Sequence, residues 1–134
     1  MTPALTFPRA ARLLCPRDFS RVFDKADYKA GNEAILLLAK DNDLGLARIG
    51  FVISKKNVRS AVKRNALRRQ LREAFRLRHP LLPAFDLVIL TRKNPVACNP
   101  KALRPRFEDL LERLVQQYRK RHGFSGPSRD SEQR

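Results

Sequence analysis

The basic residues between Lys55 and Arg78 are the side chains whose type and spacing point most directly to a chemical role in this chain. The stretch holds ten Lys and Arg residues and a single acid, Glu73. Such a run repels itself unless apolar side chains hold it in place or a polyanion neutralises it. Apolar residues recur at helical spacing within it, at Leu67, Leu71, Ala74 and Phe75. This spacing predicts an amphipathic helix that buries one stripe and presents its arginines to a polyanion.

The charge of the whole chain favours a nucleic acid as that polyanion. The 134 residues include 29 Lys and Arg against 13 Asp and Glu, which gives a net charge of +16. Most of the basic residues are arginine, whose planar, permanently charged fork fits phosphate oxygens and stacks on bases. The length predicts one domain with a core of its own. The longest apolar run, Ala34 to Ala39, is far shorter than the roughly 20 residues that span a bilayer, so no membrane partner is expected.

Other kinds of chemistry have little support. The N-terminus lacks the basic start and long apolar stretch of a secretory signal, which predicts a cytoplasmic protein. Cys15 and Cys98 stand far apart without CxxC or Cys/His ligand spacing, so two reduced thiols are expected. Neither His79 nor His122 has a nucleophile or ligand partner nearby in sequence. Because no paired carboxylates, metal cluster or activated nucleophile is visible, the sequence predicts no catalytic site carried by protein side chains.

The basic helix is predicted from about Ser60 to Leu77, with Asn57 or Ser60 as its cap and His79-Pro80 as its end. A short basic turn lies beside it, formed by Lys55, Lys56 and Arg59. Each phosphate that the helix and the turn contact adds roughly 0.7 to 0.9 to the slope of log affinity against log salt. The residues taken by themselves therefore predict salt-sensitive binding of RNA or DNA.

The region before the basic helix is predicted to hold a short helix and two strands. From Arg17 to about Ala26, apolar residues at i, i+3 and i+4 indicate an amphipathic helix, and on spacing alone its Phe19 and Phe23 face the core.

The strands are predicted from apolar runs and the turns between them. Tyr28 to Glu33 is turn-like with room for a short edge strand, and Ala34 to Lys40 is apolar on both faces, as in a buried strand. Leu46 to Ser54 is predicted to form a hairpin with that strand. A third strand, Phe85 to Arg92, follows the second through the basic helix, so these two are expected to run parallel.

The last helix is the strongest helical pattern in the chain. Its apolar stripe contains Phe107, Leu110, Leu111, Leu114, Val115 and Tyr118. Asn99 is a candidate cap with Pro100 at the first position, but Pro105 would fall in the second turn. The regular helix is therefore expected to begin nearer Arg104.

The order helix, strands, helix, strand, helix predicts an α+β fold in which helices pack on a mixed β-sheet. We expect an extended basic segment at residues 1–14, one domain at residues 15–119 and a flexible tail at residues 120–134.

The segment from Ala47 to Arg76 resembles the signature of the bacterial ribonuclease P protein family, in which a strand ends in a Lys-Lys pair and leads into an RNR-type helix. The matching residues there are Gly50, Ser54-Lys55-Lys56, Arg64-Asn65, Arg68-Arg69, Arg72-Glu73 and Phe75. Outside it, the matches are Arg12, Asp18-Phe19, Val22-Phe23 and the strand FDLVILTRK. The resemblance covers about Arg12 to Val115.

The resemblance implies a protein subunit that binds a large catalytic RNA, which itself cleaves the 5′ leader from precursor tRNA using Mg²⁺. No protein ligand for Mg²⁺ and no obligate protein partner are expected. The implied RNA-binding residues are Lys55, Lys56, Arg59, Arg64, Asn65, Arg68, Arg69 and Arg72. The implied residues of a cleft for the single-stranded leader are Arg12, Phe19, Phe23 and Ser54. For the two phenylalanines, both core packing and leader contact therefore stay open.

The resemblance also implies a two-layer α/β sandwich of the ribosomal protein S5 domain 2-like fold, with a left-handed crossover around the basic helix where a right-handed one is the general rule. Two features depart from the family pattern. Ala66 stands where the motif has its last arginine, which removes one expected phosphate contact, and the strand from Ala34 to Ala39 lacks an aromatic toward the cleft.

Two other functions compete with this interpretation. A structural RNA-binding protein of the ribosomal type would share the charge, size and layout. A nuclease acting alone would cleave without an RNA partner, and the lack of a carboxylate cluster argues against it.

Overall fold

The computed structural model describes residues 16–42, 44–78, 82–93 and 99–123. Its elements are α1 (Pro16–Asp24), β1 (Tyr28–Gly31), β2 (Ile35–Asp41), β3 (Arg48–Val52), α2 (Ala61–Arg78), β4 (Phe85–Thr91) and α3 (Pro100–Arg121). Some residues named in the predictions lie outside the described ranges, namely Arg12, His79-Pro80 and both cysteines. The predicted α+β class, with helices packed on a mixed sheet, is confirmed.

The four strands form one sheet in the order β1-β2-β4-β3. β1 and β4 both run antiparallel to β2, whereas β3 runs parallel to β4. The predicted parallel pair on either side of the basic helix is therefore confirmed. The predicted hairpin between the strands at Ala34 to Lys40 and Leu46 to Ser54 is wrong, because β4 lies between them.

The hairpin prediction failed because a turn composition does not say which strand the chain pairs with next. β4 is buried along both faces and thus belongs in the middle of the sheet, whereas Val52 of β3 is exposed, as suits an edge. β2 forms its hairpin with β1 instead, on its other side. The left-handed sense of the β3–α2–β4 crossover stays a prediction.

The main core lies between one face of the sheet and the layer made by α2 and α3. Its sheet side includes Leu37, Ile49, Leu87 and Ile89, and its helix side includes Leu67, Leu71, Phe75, Phe107, Leu110 and Leu114. The apolar stripe predicted for the basic helix is thus buried in full. α1 packs on the opposite face of the sheet, where Val22 and Val88 form a second, smaller cluster.

The first residues of α2 and α3 are set by the capping side chains that precede them, and Pro105 does not delay the start of α3. The Ser60 hydroxyl accepts a hydrogen bond from the Lys63 amide (3.2 Å), so Ser60 caps α2. α3 begins at Pro100, where the Asn99 side chain accepts from the Ala102 amide, and the expected later start near Arg104 is wrong. Pro105 removes a single backbone hydrogen bond near the helix start, where the cap and the buried Leu103 hold the first turn.

The end of α3 is attached to the sheet. The helix runs to Arg121, two residues past the expected boundary of the domain, and the ring of His122 stacks on Tyr118 at 4.1 Å. The His122 Nε2 atom lies 3.0 Å from Asp41 Oδ2, and the Tyr28 hydroxyl donates to the same carboxylate. Burial, followed by the hydrogen bond to Asp41, raises the pKa of Tyr28 above its ordinary value.

Candidate nucleic-acid interface

The outer face of α2 forms a concavity rich in arginine. The helix has 18 residues and is therefore about 27 Å long. The concavity has a volume of about 370 Å³ and is lined by Asn65, Arg68, Arg69, Arg72, Glu73 and Arg76. Four of the residues predicted to bind RNA thus share one surface. A phosphate group suits such a surface because several guanidinium groups line it.

Each of these arginines is held differently. The Arg68 Nη1 atom donates to the amide oxygen of Asn65 (3.1 Å). This neutral partner orients the guanidinium without cancelling its charge. The Arg72 guanidinium lies 5.5 Å above the ring of Phe51, a geometry that orients the charge by cation–π attraction. Arg69 is exposed, and neither it nor Arg68 has a carboxylate partner among residues 16–42, 44–78, 82–93 and 99–123.

Glu73 and Arg76 form an ion pair at one end of the concavity. The hydrogen bond from Arg76 lowers the pKa of the Glu73 carboxyl below its ordinary value, and the charges of Arg76 and Arg104 act in the same direction. The acid therefore stays ionised near neutral pH and neutralises Arg76 more than it does Arg68 or Arg69. The uncompensated part of the charge lies toward the N-terminal half of α2.

The turn before α2 is shaped by Ser54, which was predicted for the leader cleft, and by Arg64, which was predicted to bind RNA. The hydroxyl of Ser54 accepts from the Lys56 amide (3.0 Å), and the Arg64 Nη1 atom donates to the carbonyls of Val58 (3.0 Å) and Arg59 (2.9 Å). These bonds position three exposed cations, the side chains of Lys55, Lys56 and Arg59. Ser54 thus holds the basic turn from its start, and Arg64 holds it from the first turns of α2.

The face of the sheet turned away from α2 has a graded composition along its strands. Strand register places Lys40, Asp86 and Arg48 side by side, then Leu38, Val88 and Gly50, then Leu36, Leu90 and Val52. α1 covers the second row, where Phe19 and Val22 pack with Leu38 and Val88, and it also reaches Leu90 in the third row. The third row, which we name the open row (Leu36, Leu90 and Val52), is only partly buried. It ends beside the turn that carries Ser54.

The two phenylalanines of α1 differ in exposure. Phe19 is half-buried in the small cluster on the sheet, whereas Phe23 is 43% exposed. Core packing alone does not account for Phe23, since a core residue would be covered. An exposed aromatic on the helix that packs on this face has the character of a stacking platform for a single strand. Arg12, the fourth residue predicted for this cleft, lies outside the described residues.

The sequence reasoning missed an ionic cluster at the first row of this face. Asp86 is 2% exposed and bonds to Arg48 and Asn42. A signal for it was present in the sequence, because Asp86 interrupts the otherwise apolar strand FDLVILT and a buried carboxylate requires partners. What the sequence did not reveal was the identity of those partners.

The described residues contain no group of three or more His, Cys, Asp or Glu side chains that could hold a metal ion. None of the described helices is both long enough and apolar enough to cross a bilayer. The molecule presents two surfaces. An arginine concavity lies on α2, and a partly open apolar face lies on the other side of the sheet, next to the basic turn. These features define a small α+β nucleic-acid-binding protein.

Comparison with known proteins identifies the family. A family model described as Ribonuclease P matches residues 7–115, and the chain belongs to this family. The ribonuclease P protein component of Marinobacter nauticus is 45% identical over 116 residues, which cover 87% of each chain. That of Escherichia coli is 43% identical over 109 residues, which cover 81% of this chain and 91% of the relative.

Solved structures agree with the family assignment. The RNase P protein of Staphylococcus aureus matches with a TM-score of 0.66 and 26% identity, covering 81% of this chain and 94% of that one. The RNase P protein of Thermotoga maritima matches with a TM-score of 0.58 and 29% identity, covering 79% and 96%. The predicted family, fold class and role as the protein subunit of an endoribonuclease ribonucleoprotein are confirmed, and this role implies association with the RNase P RNA.

Proposed function

We propose that the arginine concavity of α2 is the surface that docks on the catalytic RNA of ribonuclease P, with Arg68, Arg69 and Arg72 as its main phosphate contacts. The observation that supports this most strongly is the shared orientation of these side chains on a helix whose single acid pairs with Arg76. The exposed cations at Lys55, Lys56 and Arg59 extend the same positive surface past the start of the helix. Neutralising phosphates in this way lowers the repulsion between RNA segments.

The second half of the proposal concerns the substrate. The 5′ leader of precursor tRNA lies along the open row, with a base stacked on Phe23 and the backbone near the basic turn. Stacking on an aromatic and on apolar side chains suits a single strand of any sequence, because every base has a π-face. Phe19 then has both roles that the sequence left open, since it packs on the sheet and borders the open row.

The chemistry is carried by the RNA, with Mg²⁺ held by RNA oxygens, which are the hard ligands this ion prefers. We assign no protein side chain to the ion. The protein contributes by binding and by neutralising charge, works without an obligate protein partner, and acts in the cytoplasm with the precursor tRNA pool.

The test is a reconstitution. The purified protein is added to the catalytic RNA at low Mg²⁺, and cleavage of a 5′-labelled precursor tRNA is followed over time. We expect the protein to stimulate cleavage, to a greater extent for a precursor with a leader than for one truncated close to the cleavage site. A protein that fails to stimulate cleavage, yet binds ribosomal RNA tightly, would support the structural type of RNA-binding protein and refute the proposal.

A further inference from the structure

A buried ionic cluster lies at the first row of the α1 face, at the end of the sheet away from the open row. Arg48 holds Asp86 with two nearly parallel hydrogen bonds, from Nε to Oδ1 (2.8 Å) and from Nη2 to Oδ2 (2.7 Å). The Asn42 side-chain amide donates to Asp86 Oδ1 as well (2.8 Å). A guanidinium that is held in this bidentate manner by a buried carboxylate has one preferred orientation.

The same guanidinium reaches α1. Its Nη2 atom lies 3.3 Å from the Oδ1 atom of Asp18, and the side chains of Arg48 and Asp18 are each 15% exposed. This pair is better shielded from water than an ordinary surface ion pair, so its geometry is better defined. Asp18 immediately precedes Phe19 in the sequence. The contact therefore joins the sheet to the part of α1 that borders the open row.

The apolar attachment of α1 to the sheet is small. The helix has nine residues, and Val22 is its one fully buried side chain. A short helix held only by Val22 and the half-buried Phe19 can tilt at modest cost, because little apolar surface is lost when it moves. The ion pair of Asp18, about one helical turn before Val22, adds a polar attachment that opposes such a tilt.

From these contacts we propose that Arg48 is a positioning residue: anchored by Asp86, it fixes the placement of α1 through Asp18 and thereby sets the position of Phe19 beside the open row, where a single-stranded RNA leader lies. This inference rests on the leader-binding half of the proposed function. It adds that the shape of the leader site depends on the ionic contact between Arg48 and Asp18. Neither of these residues is proposed to touch RNA.

The experiment measures leader preference with the assembled protein–RNA enzyme. Dissociation constants are determined for a labelled precursor tRNA with a single-stranded leader and for the same tRNA without it, and their ratio is the leader preference. The variants are Asp18→Asn, Phe19→Ala and the two combined, with Asp24→Asn as the control. Asp24 lies on the same helix and is exposed, so its substitution removes the same charge without touching Arg48.

We expect Asp18→Asn to reduce the leader preference by about threefold to fivefold. The direction of the change in leader binding is informative, because electrostatics alone predicts that removing a negative charge near RNA strengthens binding. A slight strengthening is the most that Asp24→Asn is expected to cause. If Asp18 acts through the placement of α1, the double variant should lose little more than Phe19→Ala alone, since the two changes disrupt one feature. Binding of the catalytic RNA should be unchanged in all four proteins.

A second variant addresses Arg48 itself. Arg48→Lys keeps a cation opposite the buried Asp86 but lacks the fork that serves two carboxylates at once. It should lose leader preference to a similar degree as Asp18→Asn. Full leader preference in Asp18→Asn and Arg48→Lys, with a normal preference in the wild-type enzyme, would overturn the positioning role alone. A wild-type enzyme that binds both tRNAs equally would overturn the leader-binding proposal, and this inference with it.

Discussion

Replacing Arg68 and Arg69 together by alanine is the sharpest test of the docking surface on α2. Arg69 is exposed and Arg68 bonds only to the side chain of Asn65 among the described residues, so neither substitution disturbs the core. Alanine also has the highest helix propensity, which protects the helix itself. The folded protein should therefore keep its stability while two cations leave the concavity.

The magnitude follows from counterion release. Each lost phosphate contact lowers the slope of log affinity against log salt by roughly 0.7 to 0.9, so two contacts lower it by about 1.4 to 1.8. Between 50 and 200 mM salt, a fourfold change, the ratio of wild-type to variant affinity should then shrink by about tenfold. The variant binds the catalytic RNA less tightly at low salt and approaches the wild type as salt rises.

The assay is filter binding or fluorescence anisotropy with the catalytic RNA at several salt concentrations. The matched control replaces Arg106 and Arg113 on α3, which remove the same charge but pair with Glu33 and Asp109. The control should leave the slope nearly unchanged, because its arginines are already neutralised by carboxylates. An equal loss of slope in both proteins would mean that net charge alone governs binding, and the reasoning about a defined surface would be refuted.

Three further outcomes are expected. Arg72→Lys should keep most of the salt slope but lower the free energy of unfolding by about 0.5 to 1 kcal/mol, measured in urea, because the ammonium loses the planar stacking on Phe51. Phe23→Ala should weaken binding of leader-bearing tRNA by about fivefold or more in the anisotropy assay, with a small change in melting temperature, since the residue is 43% exposed. The pKa of Tyr28 is raised in the folded state, so the folded protein favours the neutral phenol. The contribution of Tyr28 to stability is therefore complete below pH 10 and is lost as the pH rises above 10. The melting temperature should fall across this range, and Tyr28→Phe should reduce that fall.

The features that could be predicted from the sequence are those set by local periodicity. The buried stripe of α2, with Leu67, Leu71 and Phe75, and the arginines on its other side follow directly from helical spacing. The long stripe of α3 and the parallel relation of β3 and β4 follow in the same way. Each of these depends on residues close together in the chain or on one connection.

Features that depend on distant residues were not accessible. The partner of β2 was mistaken because the turn after Asp41 is compatible both with a hairpin and with a chain that leaves the sheet. Arg48 and Asp86 are separated by 38 residues and meet only because β3 and β4 pair in register. The difference between Phe19 and Phe23 likewise depends on where α1 sits, which a single helical pattern does not determine.

The two surfaces proposed to bind RNA are joined directly by the segment between β3 and α2. β3 ends at Val52 in the open row, and α2 begins at Ala61 after the basic turn. Side-chain hydrogen bonds hold this turn: Ser54 bonds within it, Arg64 of α2 donates to its carbonyls, and the side-chain amide of Asn57 donates to the carbonyl of Thr91 at the end of β4 (2.8 Å). Because the turn is fixed to both the sheet and the helix, the proposed docking surface on α2 and the proposed leader site on the open row stay at a set separation. The accessory role of the protein is then geometric as well as electrostatic.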